Sequence, residues 1–281
     1  MGLRERMRTR NALRVIGVAS GKGGVGKTQL SANLAALAAA DGQRVLVIDG
    51  DLGLANVELI FGITPRHHVG QVLDGTVELD AALSEGPNGI RILAAGHGLA
   101  ALTRLADEEK LRLVSLMESL EDRFDLVIVD SPSGIGENTV FFAGSGQQVL
   151  LVVQPEPTSL SDAYAAVKTL RLQAGVRQFA VVVNQSLPTA ARDTFERLST
   201  VCARFLDVQL RFVGAIPRDE HVHRAVLAQR PVVQLYPHSP ASRALAAVRE
   251  ALFREPQEGV PVGGLKFLWG QLLRESLPAA R

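Results

Sequence analysis

The run Gly21-Lys22-Gly23-Gly24-Val25-Gly26-Lys27-Thr28 gathers residues whose types and spacing could do chemistry. Two lysines and a hydroxyl are set among four glycines. Glycines let a backbone curl until its N–H groups converge on phosphate oxygens. The run fits the eight-residue phosphate-loop pattern, and it sits between an apolar stretch, Arg14 to Ser20, and a helical one that starts at Lys27. That context separates it from a glycine-rich turn with a chance lysine. The expectation is a triphosphate cradle formed by Gly23, Gly24, Val25, Gly26, Lys27, Thr28 and Gln29, backed by the positive N-terminal end of a helix. Lys27 would bridge the β- and γ-phosphates, and Thr28 would bind magnesium.

Two further runs place acids just after apolar stretches. Asp49-Gly50-Asp51 ends the run RVLVID, and Asp130-Ser131-Pro132-Ser133-Gly134 follows DLVIV. A lone acid at a strand end is usually a helix N-cap. Beside a phosphate loop it can instead balance a metal ion. Three such loops after three apolar strands favour one shared site. Asn184 closes FAVVVN. Its amide offers a donor and an acceptor, which suits the edge of a base, although a turn asparagine needs no such role.

The elements that must position these residues alternate. Strands are expected at Arg14–Ser20, Arg44–Asp49, Arg91–Ala95, Asp125–Asp130, Val149–Gln154, Phe179–Asn184 and Phe212–Pro217. Helices are expected at Lys27–Ala40 with Gly42 as its stop, at Asp107–Glu121, and near 159–174, 190–205, 219–229 and 239–254. Near-continuous apolar strands separated by helices predict an α/β fold. It is a doubly wound, mostly parallel sheet with helices on both faces, and ligands would sit at the strands' carboxyl ends.

Lys22, the second lysine of GKGGVGKT, makes the loop similar to that of the MinD/ParA family of P-loop ATPases, and the resemblance covers roughly residues 12–255. It implies ATP and Mg2+ as cofactors and an ATP-dependent homodimer, in which Lys22 reaches across to the other subunit's ATP. DGDLGLAN (49–56) resembles the family's first switch, with Asp51 positioning the attacking water and approaching magnesium. DSPSGI (130–135) resembles the second, with Asp130 holding magnesium through water and the Gly134 amide facing the γ-phosphate. Lys22, Lys27 and Asp51 would then be the catalytic residues, and Thr28, Asp51 and Asp130 the metal-binding ones. Asn184 would contact adenine, and Pro217, Arg218 and Asp219 would pack over it. Glu156 would approach the partner's ribose, and Asp162 would lie at the dimer face. The stretches DLGLANVELIFGI (51–63) and PEPTSLSDAYAAVK (155–168) point to the flagellar-number branch. The N-terminus has a similar LRERM without the DQA motif by which that branch stimulates a signal-recognition-type GTPase, and DSPSGI is closer to the septum-positioning branch. A septum-positioning or cargo-positioning ATPase is the alternative.

Composition narrows the rest. A chain of 281 residues that is 47% hydrophobic is long enough for a large core, and a net charge of +1 makes nucleic acid an unlikely partner. One cysteine, Cys202, excludes an internal disulfide or a cysteine-ligated cluster within one chain and fits a reducing cytoplasm. The six histidines show no zinc spacing, and no nucleophile elbow is present. The expected organisation is a basic extension at 1–13, the P-loop ATPase domain at 14–255, a Pro/Gly-rich linker at 256–264 and an amphipathic helix at 265–281. Leu265, Leu268, Trp269, Leu272 and Leu273 share one helical face. Such a helix is too short to span a bilayer but suits its surface. The inner face of the cytoplasmic membrane is therefore an expected partner, and docking on the protein's own core is the other reading.

Overall fold

The computed structural model describes residues 13–51, 57–94, 120 and 123–254. Eight strands form one sheet in the order β3-β4-β2-β5-β1-β6-β7-β8. They are β1 (Arg14–Ala19), β2 (Val45–Asp49), β3 (Leu83–Glu85), β4 (Arg91–Ala94), β5 (Leu126–Asp130), β6 (Gln148–Val153), β7 (Gln178–Asn184) and β8 (Gln209–Ile216). Every pairing is parallel except β3 with β4. The helices are α1 (Lys27–Ala40), α2 (Val57–Phe61), α3 (Val69–Leu73), α4 (Leu79–Ala82), α5 (Glu137–Gly144), α6 (Pro157–Gln173), α7 (Pro188–Leu206), α8 (Glu220–Leu227), α9 (Val232–Leu235) and α10 (Pro240–Phe253).

Side chains alternate across a strand, so a sheet covered on both faces must be apolar at every position. The three core clusters show this directly. Ile16, Val47, Ile128, Val152 and Val182 pack under α1, α8, α9 and α10. Their neighbours Val15, Leu46 and Val127 face α3, α4 and α5. Leu151, Val153 and Val181 face α6 and α7. The doubly wound, mostly parallel architecture read from the sequence is therefore the one observed.

The differences are local. The antiparallel edge strand β3 was not expected, because three residues carry no readable alternation. Helices α2, α3, α4, α5 and α9 have four to eight residues, too few for a 3.6-residue period to show. Strand β8 starts at Gln209 rather than Phe212. It lies at the sheet edge, where half-exposed positions tolerate the polar start QLR. The expected helix at Asp107–Glu121 lies outside the described residues apart from the buried Leu120, as do the segments 1–12 and 255–281.

Candidate functional site

The phosphate loop leaves β1 at Ala19 and enters α1 at Lys27. Packing shapes it as much as glycine content does. Gly26 caps α1 at φ 95°, a left-handed conformation, and a Cβ there would lie 2.4 Å from Asn184 Nδ2. A Cβ on Gly21 would lie 1.9 Å from the Asp162 carbonyl oxygen, so α6 backs the loop from outside. Inside the loop, Ser20 Oγ donates to Lys22 O at 2.7 Å, and Asn184 Nδ2 donates to Val25 O at 2.7 Å. Val25 is buried and Gly24 faces open space. The first N–H groups of an α-helix have no partner within the helix, which suits the start of α1 to an anion. Lys27 is buried here. Burial lowers its pKa, and the charges of Asp130 and Asp51 offset part of the shift.

Two carboxylates close the floor. Asp49 and Asp130 are register partners at the ends of β2 and β5, and both are buried. Asp49 accepts the Asp51 N–H at 3.0 Å and the Val57 N–H at 3.1 Å. Burial and then repulsion from Asp130 push its pKa to about 7, against those two bonds. Asp130 accepts Ser31 Oγ–H at 2.8 Å. Burial raises its pKa, and hydrogen bonds from Thr28 and Ser31 pull it back, as does the Lys27 charge. Two buried acids that both resist ionisation, beside a threonine hydroxyl and a lysine, are a donor set that a divalent cation fits. Among the described residues no three acids or histidines converge on one metal position. A cation here would therefore take one or two carboxylates, the hydroxyl and phosphate oxygens, the arrangement magnesium favours. Asp49 was named in the sequence with its run, but the role there went to Asp51. Its signal was its place as the last strand residue of an Asp-Gly-Asp turn, where it clasps the loop that carries Asp51.

The remaining expected residues are placed as follows. Gly134 N–H, expected to face a γ-phosphate, donates to Ser20 O at 2.9 Å, so that bond must open before the amide can meet a ligand. Lys22 and Glu156, expected to meet a second subunit, meet each other within one chain at 3.0 Å. Asn184 and Gln29 line a cavity of about 300 Å³ with Gln185, Pro217, Arg218 and His223. Asp219 lines that cavity too, and both oxygens of its carboxylate are bonded. One oxygen accepts His221 N at 2.9 Å and contacts its ring, capping α8, and the other accepts Ala241 N at 2.9 Å at the start of α10. Asp219, expected to pack over the base with Pro217 and Arg218, lines the cavity beside them, and its carboxylate clamps that wall to the start of α10.

That clamp predicts a pH dependence. Burial pushes the Asp219 carboxyl up, but the Ala241 and His221 N–H groups and the His221 ring outweigh it and hold its pKa at about 2, below the ordinary 3.8. Its stabilising effect is complete above pH 4 and fades as pH falls toward 2. Asp219→Asn should cost about 1–2 kcal/mol in urea unfolding at neutral pH. The gap from wild type should shrink between pH 4 and 2, and a gap that stays constant over that range would contradict the clamp.

A glycine-rich loop between strand and helix at the carboxyl edge of a doubly wound sheet, with acids at two neighbouring strand ends, defines a P-loop nucleotide-binding protein. The chain belongs to the CobQ/CobB/MinD/ParA nucleotide binding domain family, whose model matches residues 16–232. This makes it a P-loop ATPase with ATP and Mg2+ as cofactors. It is 41% identical to antiactivator FleN of Pseudomonas aeruginosa over 96% of this chain and 97% of that one. It is 29% identical to flagellum site-determining protein YlxH of Helicobacter pylori over 92% and 89% of the two chains. The septum site-determining protein MinD of Pyrococcus horikoshii, solved with Mg-ADP, superposes with a TM-score of 0.67 at 27% identity, over 86% of this chain and 96% of that one. The flagellar branch expected from residues 51–63 and 155–168 is the one these first two relatives represent.

Proposed function

We propose that this chain is an Mg-ATP-dependent dimerising ATPase that hydrolyses ATP to ADP and phosphate and regulates flagellar number or position at the membrane. The observation that carries the reading is the rim of the phosphate loop. Lys27 is buried against the floor, whereas Lys22 stands on the outer edge, 39% exposed and paired with Glu156. A second lysine there can serve a phosphate that belongs to another copy. Exposed apolar side chains on the same face, Ile135 (54%) after β5 and Leu187 (69%) after β7, suit burial against that copy.

In this reading the amides of Gly23, Gly24, Val25, Gly26, Lys27, Thr28 and Gln29 hold the phosphates. Thr28 and Asp130 hold magnesium, with Asp51 close by. Asn184, Pro217 and Arg218 enclose the base. Magnesium, when bound, would offset the negative charge of the phosphate oxygens. Asp51 orients a water in line with the γ-phosphate, and Lys27 and the partner's Lys22 stabilise the charge that spreads onto the leaving oxygens. The second loop carries no glutamate base, so unstimulated turnover should be slow. A signal-recognition-type GTPase and flagellar components are candidate partners.

The test is phosphate release with protein in excess over ATP. Release is expected with Mg2+ and not with EDTA or in Lys27→Ala. Bound ATP that stays intact for hours in the wild type would favour a non-hydrolysing scaffold. The second-switch sequence DSPSGI keeps a septum-positioning role as the alternative, and the genes flanking this one, flagellar or division, decide between them.

The segment 265–281 is proposed as a reversible membrane anchor. Its net charge from Gly264 to Arg281 is +2, so one copy should bind anionic lipid weakly. Two copies on an ATP dimer should bind far better, because the second insertion is effectively intramolecular. Anionic vesicles should sediment the ATP-loaded chain, little of the ADP-loaded chain, and none of a chain ending at Gly264. Equal binding in all three, or none with ATP, would refute the anchor.

A further inference from the structure

Ser31 is fully buried on α1, one turn beyond Thr28, among the buried residues Leu30, Ala32, Asn33, Leu34 and Ala35. A hydroxyl in such a place carries a desolvation cost that alanine would avoid, and alanine is also the better helix former. Helical serines and threonines commonly return their proton to the carbonyl four residues back. Thr194 and Thr200 of α7 do so, to Ala190 O at 2.7 Å and Glu196 O at 2.8 Å. Ser31 instead sends its proton out of its helix to Asp130 Oδ1 at 2.8 Å, on a strand end 99 residues away. Asp130 is itself buried, and its neighbours Lys27 and Thr28 lie on the same helical turn of α1 as the loop's exit.

We propose that Ser31 is a positioning residue that fixes the Asp130 carboxylate toward Thr28 and Lys27 and so sets how tightly the site keeps magnesium. The proposal rests on the reading of Asp130 as a magnesium-holding residue. Thr28 carries both a hydrogen bond to Asp130 and the proposed metal contact, so its geometry changes with the ligand. Ser31 lies deeper and has no ligand to serve. It holds one carboxylate oxygen in place whichever nucleotide is bound. Partners that orient a metal-binding group from behind typically matter by 10–100-fold in metal affinity.

The experiment is ADP binding by the full chain, measured by calorimetry with Mg2+ and with EDTA, for wild type, Ser31→Ala, Ser31→Cys and Asp130→Asn. Cysteine is slightly larger than serine and a weak donor, whereas alanine is smaller and no donor. A loss shared by both variants therefore separates the hydrogen bond from a packing defect, and cysteine covers an alanine variant that fails to fold. Both Ser31 variants should bind ADP as wild type does in EDTA and lose about tenfold or more of the tightening that Mg2+ brings. Loss that is equal with and without Mg2+ would show a structural role only and overturn the proposal. So would full tightening in both Ser31 variants while Asp130→Asn loses it, and in that case the reading of Asp130 stands. Tightening that survives in Asp130→Asn would overturn that reading instead, and the proposal with it.

Discussion

Lys22→Ala should bind Mg-ATP as the parent does, stay monomeric, and lose turnover by at least about a hundredfold. The structure explains why binding survives. The loop's internal bonds use the Lys22 carbonyl, not its side chain: Ser20 Oγ donates to Lys22 O. The cradle amides, Lys27 and Thr28 are untouched by the change. Among the described residues the side chain pairs with Glu156, in an ion pair whose members are 39% and 56% exposed. Pairs this exposed contribute about 0–1 kcal/mol. Exchange of Glu156 for a partner's triphosphate is therefore inexpensive, and the bond gained is charge-assisted and shielded from water. Sedimentation of the ATP-loaded variant, with phosphate release, checks the prediction. A variant that dimerises and turns over normally would show that Lys22 is a solvated loop lysine.

Asp51→Ala should give the opposite phenotype, a long-lived ATP-loaded dimer whose hydrolysis is slower by about a hundredfold or more. Asp51 follows the last residue of β2 by two positions, and its N–H is held by Asp49. It starts a loop whose far end, Val57 N–H, is pinned to the other oxygen of the same carboxylate. Both ties come from one buried carboxylate, and they fix Asp51 at the end of β2 beside the start of α2. Asp51 is thus placed to follow the γ-phosphate without forming the cradle. Analysis of the bound nucleotide after incubation with Mg-ATP checks this: the variant should stay a dimer holding ATP, whereas the parent should hold ADP and return to monomer. A variant that hydrolyses at the parent rate would remove Asp51 from the mechanism.

Much of the fold was legible because its signals are local. Helix α1 was read with both ends correct, since the phosphate loop fixes its start and Gly42 its end. Runs such as VLVID and LVIVD read as strands because burial on both faces demands apolar residues throughout. What stayed hidden depends on contacts far apart in the chain. Nothing near Ser31 in sequence announces a bond to Asp130, and nothing near Asp219 announces one to Ala241. The pairing of Lys22 with Glu156 joins positions 134 residues apart. Asp49 was named without a role of its own because an acid at a strand end reads equally as a cap; the register pairs it with a second buried carboxylate, Asp130.

The central claim is that ATP, and not ADP, joins two copies of this chain. The most direct measurement is the solution mass of the full-length wild type by sedimentation velocity, with Mg-ADP and with a non-hydrolysable Mg-ATP analogue. The account predicts 30.1 kDa with Mg-ADP and twice that with the analogue. The same mass in both states, with binding of each nucleotide confirmed, would contradict it.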